Sequence, residues 1–193
     1  MNKTISYYNN NAKLFTNDTL DAKLTDTQDL FLSYLNKDAL ILDFGCGSGR
    51  DTKYFLSKGF KVEAIDGSIE LCKIASINTG IAVKNMFFQD LNEINKYDGI
   101  WACSSILHLN KTELKEVLIK MISSLKDNGI IYTSFKYSNF EGERNGRYFT
   151  DFTEDSFNDY TKDLNINVIK EWVSNDVRPN RNNEKWLNII LKK

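Results

Sequence analysis

The densest chemistry in the sequence lies at ILDFGCGSGRD, positions 41 to 51, where an apolar run ends in Asp43 and passes through Gly45, Gly47 and Gly49. Glycines at alternate positions permit positive φ and let backbone N–H groups approach a ligand closely, and a helix starting directly afterwards favours an anionic group at its N-terminus. The pattern predicts a cofactor cradle; the alternative is a strand-to-helix turn without a ligand, for which three glycines are costly. Arg50 stands where a dinucleotide fingerprint needs its third glycine, which opposes close approach of a pyrophosphate. A second apolar run ends KVEAIDGS and places Asp66 about 20 residues past the loop, where a carboxylate can accept both hydroxyls of a ribose. A third ends NMFFQDL. Asp90 there can accept from an exocyclic adenine amine, with Phe88 or Leu91 against the base, which favours an adenosine ligand without pyrophosphate. A turn or helix-capping aspartate is the plainer reading of Asp90.

These residues need a frame that presents strand ends side by side. The runs LILDF, KVEAI, NMFF, GIWAC and GIIYTSF alternate with segments of helical period, which predicts a parallel sheet with helices between its strands. In TELKEVLIKMISSL, Leu114, Val117, Leu118, Met121, Ile122 and Leu125 form one apolar stripe. Asn110 and Glu113 resemble a capping box at its start, and Asn128-Gly129 suits a left-handed stop. A further helix is expected from Thr153. INVIKEWV and KWLNIIL then read as an antiparallel hairpin around a polar turn with Pro179, Arg178 and Arg181.

The chain of 193 residues suits one domain, and its single proline and lack of low-complexity stretches mark no linker. We expect one unit over 1–193, with 1–37 as an N-terminal helical lid and 38–193 as the core. Three scattered cysteines and one histidine argue against a disulfide framework and against a zinc site, so no metal is expected. A net charge of −1 supplies no global attraction to a phosphate backbone, which favours a small-molecule partner over nucleic acid. With neither a secretory signal nor an apolar membrane-spanning run, a cytoplasmic location is expected.

DFGCGSGRD, the acid Asp66, QDL and YDGIWACSSILHL together resemble the motifs of the class I S-adenosylmethionine-dependent methyltransferases, and the resemblance covers nearly the whole chain. YYNNNA and SFKYSNFEGERNGRYFTDFTE are similar to a subgroup of small bacterial methyltransferase-domain or tellurite-resistance-like proteins. The resemblance implies a Rossmann-like α/β fold: a mostly parallel seven-stranded sheet of order 3-2-1-4-5-7-6, strand seven antiparallel, with helices on both faces. It also implies S-adenosylmethionine as cofactor and carries contacts onto Asp43, Gly45, Cys46, Gly47, Asp66, Gly67, Ser68, Gln89, Asp90, Leu91 and Cys103. Asp43 is expected to act indirectly or through the methionine amine. Tyr7, Tyr8 and Phe15 form a candidate aromatic lid, with Tyr8 counted among the cofactor contacts; packing against the core is the alternative.

On this resemblance the acceptor meets the methyl donor near Cys103, Ser104, Ser105 and His108. His108, with an ordinary pKa of about 6.5, is a candidate base or a helix-entrance cap. Glu141, Glu143, Arg144, Arg147 and Tyr148 fall on an expected loop, where Arg144 and Arg147 either clamp an anionic acceptor or pair with the glutamates. His108, Arg144, Arg147 and Tyr148 are the candidate catalytic residues. The expected activity is methyl transfer to a small, anionic acceptor; a non-catalytic cofactor-binding module and a macromolecular acceptor are the alternatives.

Overall fold

The computed structural model describes residues 2–178, 181 and 183–193. Pro179, placed by the sequence in the last hairpin turn, lies outside the described residues, as do Met1, Asn180 and Asn182. Two helices come first, α1 (Lys3–Thr19) and α2 (Thr25–Leu32). Asn2 caps α1 by accepting from the N–H groups of Thr4 and Ile5. The alternating part runs β1 (Leu40–Phe44), α3 (Arg50–Ser57), β2 (Lys61–Asp66), α4 (Ile69–Thr79), β3 (Val83–Asn85), β4 (Tyr97–Ala102), α5 (Lys111–Ser124) and β5 (Leu125–Lys136). A short hairpin follows, β6 (Glu141–Arg144) and β7 (Arg147–Thr150), then α6 (Glu154–Thr161), β8 (Asn167–Asn175) and β9 (Lys185–Lys192).

The seven-stranded sheet has the order β3-β2-β1-β4-β5-β9-β8, parallel from β3 to β5, with β9 antiparallel to both neighbours. This is the expected order, β8 and β9 being the sixth and seventh strands of the sheet. Four of the five residues of LILDF in β1 are buried, as a central strand covered on both faces requires. On one face the α5 stripe packs with Phe135, Phe152 and Phe157; on the other Phe31 of α2 and Phe55 of α3 enclose Trp101, whose ring stacks on Tyr132 at 4.0 Å.

Three local expectations are corrected. The capping box at Asn110 and Glu113 forms, but α5 ends at Ser124, and Asn128, at φ 64°, lies within β5 rather than stopping a helix. The third strand is Val83–Asn85, while Phe88–Asp90 turn as a 3-10 helix. The expected loop at 141–150 is a two-stranded ribbon whose turn, Asn145-Gly146, has φ of 50° and 76°. Such a turn requires two left-handed residues in succession, which Asn-Gly supplies. Among the described residues no helix is long and apolar enough to cross a membrane.

Candidate active site

A cavity of about 510 Å³ opens at the C-terminal ends of β1, β4 and β5, where ligands bind in open α/β sheets. Gly45 and Gly47 in its floor have φ of 87° and 56°; a Cβ on Gly45 would lie 2.5 Å from Ser105 Cβ, and one on Gly47 would lie 3.0 Å from the Phe15 ring. Asp66 holds the loop, accepting from Gly47 N–H at 2.9 Å and Ser68 N–H at 2.8 Å. Burial lifts its carboxyl to about 6 despite these two donors. Gly45, Cys46, Gly47, Asp66, Gly67, Gln89 and Cys103 all line the cavity. Burial, with Asp51 nearby, pushes the Cys103 thiol up to about 11, so it stays protonated.

Four other residues expected at the cofactor lie off the cavity wall. Asp43 lies beneath the loop and off the cavity wall, accepting from Thr52 Oγ1 at 2.5 Å; burial and the neighbouring Asp51 raise its pKa. Ser68 is buried and caps α4, accepting from Leu71 N–H and donating to Asn9 of α1 at 2.7 Å. Asp90 is exposed and off the wall, and Leu91 is a core residue. Phe87 and Phe88 occupy the wall beside Gln89 instead.

The roof is α1. Its Tyr8 hydroxyl lies 2.8 Å from His108 Nε2, and its Thr4 Oγ1 accepts from Tyr148 N–H at 3.1 Å. The Tyr148 carbonyl lies 2.6 Å from His108 Nδ1, and because a carbonyl only accepts, Nδ1 carries the proton and Nε2 accepts from Tyr8. Burial lowers the His108 pKa to about 4; the Tyr148 carbonyl opposes this, and Arg147 and Arg144 add to it. Tyr148 therefore takes part through its backbone. Its phenol donates to Glu141 and lies off the cavity wall.

The two candidate arginines differ. Arg144 donates to both oxygens of buried Asp151, at 2.6 and 2.8 Å, and lies over the rings of Phe140 and Phe149. Its Nη2 is thus committed to Asp151, not to Glu141 or Glu143. Arg147 lines the cavity with its Cζ 4.5 Å from the Tyr7 ring centre.

Apart from Arg178, which the sequence places in the last hairpin turn, two groups escaped the sequence reading. Asp51 is held by Arg50 at 2.8 Å, by Trp101 Nε1 at 2.8 Å and by Gln28 at 2.7 Å, a buried polar knot beside Cys103. The far wall carries Lys136, Asp176, Arg178, Glu184 and Trp186, with Arg178 bound to Asp176 and Lys136 to Glu184. Lys136 and Trp186 are register partners across β5 and β9, so strand alternation was the available signal.

Fold and cavity together define a Rossmann-like α/β protein with a glycine-floored ligand site under a helical roof. The methyltransferase domain family matches residues 41–129, and an uncharacterized methyltransferase of Staphylococcus carnosus is 26% identical over 157 residues, covering 74% of this chain and 76% of that protein. These matches make the chain similar to methyltransferases over its glycine loop and central strands; the narrower tellurite-resistance-like grouping gains no support. Two solved structures share its fold. Burkholderia thailandensis 1,6-didemethyltoxoflavin-N1-methyltransferase, bound to 1,6-didemethyltoxoflavin and S-adenosylhomocysteine, has a TM-score of 0.77 at 21% identity, covering 98% of this chain and 84% of that one. Magnesium protoporphyrin IX methyltransferase of Synechocystis, bound to S-adenosylhomocysteine, has a TM-score of 0.75 at 16% identity, covering 97% and 96%.

Proposed function

We propose that this chain transfers the methyl group of S-adenosylmethionine to a small, anionic acceptor held beneath α1. One observation carries the reading: a single cavity runs from the Gly45–Gly47 floor and Asp66 to His108 and Arg147 under one roof. The glycine floor fits a ligand that lies against backbone, since Cβ atoms there would collide with Ser105 and Phe15. In this reading the N–H groups near Gly45, Cys46 and Gly47 face the methionine end, Asp66 and Gly67 the ribose, and Phe87, Phe88 and Gln89 the base. Asp43 and Ser68 act from behind, by holding α3 and α4 against the loop. Bound S-adenosylmethionine supplies an electrophilic methyl carbon, and the protein's own part is orientation and exclusion of water. His108, neutral and with Nε2 facing Tyr8, is placed to take up a proton through that hydroxyl.

The acceptors named for the Burkholderia and Synechocystis neighbours are small molecules, which supports the same class here. The test is incubation with methyl-labelled cofactor and a size-fractionated cell extract. Label should enter the low-mass fraction with matching formation of S-adenosylhomocysteine. Label confined to protein or nucleic acid would overturn the small acceptor, and no S-adenosylhomocysteine above a protein-free blank would overturn catalysis.

A further inference from the structure

At the acceptor end of the cavity stands a guanidinium without a counter-ion. Five arginines line the wall, and four are paired: Arg50 with Asp51, Arg144 with Asp151, Arg178 with Asp176 and Arg181 with Glu184. Arg147 has no carboxylate within ion-pair distance among the described residues. The rings of Tyr7 and Phe149 lie 4.5 and 5.1 Å from its Cζ, so its neighbours there are aromatic rather than anionic. Nη1 reaches Tyr8 Oη at 3.4 Å, while Nε is buried with no hydrogen-bond partner.

A buried donor left unpaired is unfavourable, and so is a charge without compensation; a ligand that supplies both an acceptor and a negative charge relieves the two together. The fork is planar, stands beside aromatic rings and carries one unbalanced charge, which matches a planar monoanion with two oxygens better than a tetrahedral dianion. We infer that Arg147 and the Tyr8 hydroxyl form a carboxylate subsite, so that the methyl acceptor is a small carboxylic acid anchored under α1. This rests on the methyltransferase reading given above. When the Tyr8 hydroxyl turns its proton to the carboxylate, His108 Nε2 loses its donor. The groups facing that imidazole are Tyr8, Arg147, Arg144, the Tyr148 carbonyl and the Phe149 ring, so a carboxylate on Arg147 changes its surroundings directly.

His108 is the chain's single histidine, so its ring protons report on the subsite without assignment. The experiment takes the protein saturated with S-adenosylhomocysteine and titrates it with acetate, benzoate and inorganic phosphate, read by calorimetry and by the histidine proton resonance. A carboxylate should bind saturably and move the resonance, and Arg147→Lys should weaken it about tenfold or more by losing the fork while keeping the charge. Cofactor-product affinity and melting temperature of the variant show whether it is folded. Failure of S-adenosylhomocysteine to bind would remove the methyltransferase reading and this inference together. If it binds, but neither carboxylate saturates or the lysine variant binds both equally well, the subsite is overturned and the methyltransferase reading stands. Phosphate binding more tightly than either carboxylate would overturn the choice of anion.

Discussion

Tyr8 Oη lies 2.8 Å from Nε2 of His108, although the two residues stand 100 positions apart in the chain. The contact keeps the imidazole neutral in a place where burial and two arginines disfavour its charge. The histidine resonance should therefore titrate near 4. Between that pH and about 6.5 the unfolded chain binds a proton that the folded one does not, so this group's contribution to stability is full above about 6.5 and falls as pH drops towards 4. A midpoint near the unperturbed value would show that α1 does not cover His108 in solution.

Asp66 holds the glycine loop and, in the proposed reading, also faces the ribose, so its variants should show both effects. Asp66→Ala should abolish the melting-temperature rise given by S-adenosylhomocysteine. It should also lower the ligand-free melting temperature, because the N–H groups of Gly47 and Ser68 lose their acceptor, at about 1–3 kcal/mol each. Asp90→Ala, at an exposed position, should leave the ligand-free value within about 0.5 kcal/mol of wild type. Equal losses of stability in the two variants would contradict the placement of both side chains.

Arg144 and Arg147 should separate on stability alone. Arg144→Ala strands Asp151, whose side chain is 0% exposed, and should cost more than about 2 kcal/mol in denaturant unfolding. Arg147→Lys breaks no ion pair and should cost under about 1 kcal/mol. The reverse order would assign the structural ion pair to Arg147.

Replacing Gly67 by alanine is a direct probe of the roof. The new Cβ would lie 2.6 Å from Ile5 Cδ1, a side-chain tip on α1, and Gly67 does not have positive φ. Amide hydrogen exchange over residues 5–9 should quicken, while β1 and β4 exchange at wild-type rates. Unchanged exchange in α1 would mean that Ile5 yields without moving its helix.

Asp43→Asn should make the protein relatively more stable as pH rises. The buried carboxyl has a raised pKa, so the folded state binds a proton that the unfolded chain has released above about 4, and the wild type loses this contribution with increasing pH. Asparagine keeps an acceptor for Thr52 Oγ1 without an ionisable proton. Parallel stability curves between pH 4 and 8 would show that Asp43 ionises freely.

The glycine-floored end of the cavity was legible because its features are local. The glycine loop and Asp66 at the end of β2 follow from patterns within a few residues of each other, whereas the strand order came with the family resemblance. Asp43 was not legible as a buried group, since its surroundings come from Thr52 and Asp51 on the next helix. Arg144 and Arg147 look alike in sequence; Asp151 makes them different, and which arginine it binds depends on the register of β6 against β7. The Asn145-Gly146 turn was a readable hairpin signal, obscured because EGER and RYFT lack the apolar alternation of a half-buried strand. Tyr148 misled for another reason: sequence reveals side chains, and this residue serves through its carbonyl and N–H.

The roof also sets an order of events during synthesis. Lys3 binds Glu143 and Thr4 binds Tyr148, 140 and 144 residues downstream, so α1 leaves the ribosome long before its landing surface exists. A chain still in translation can assemble β1, β2 and the glycine floor while Tyr7, Tyr8 and Phe15 wait in water. Docking of α1 is thus expected as a late folding step, and a nascent chain halted before β7 would present an uncovered cofactor floor beside three unsheltered aromatic rings.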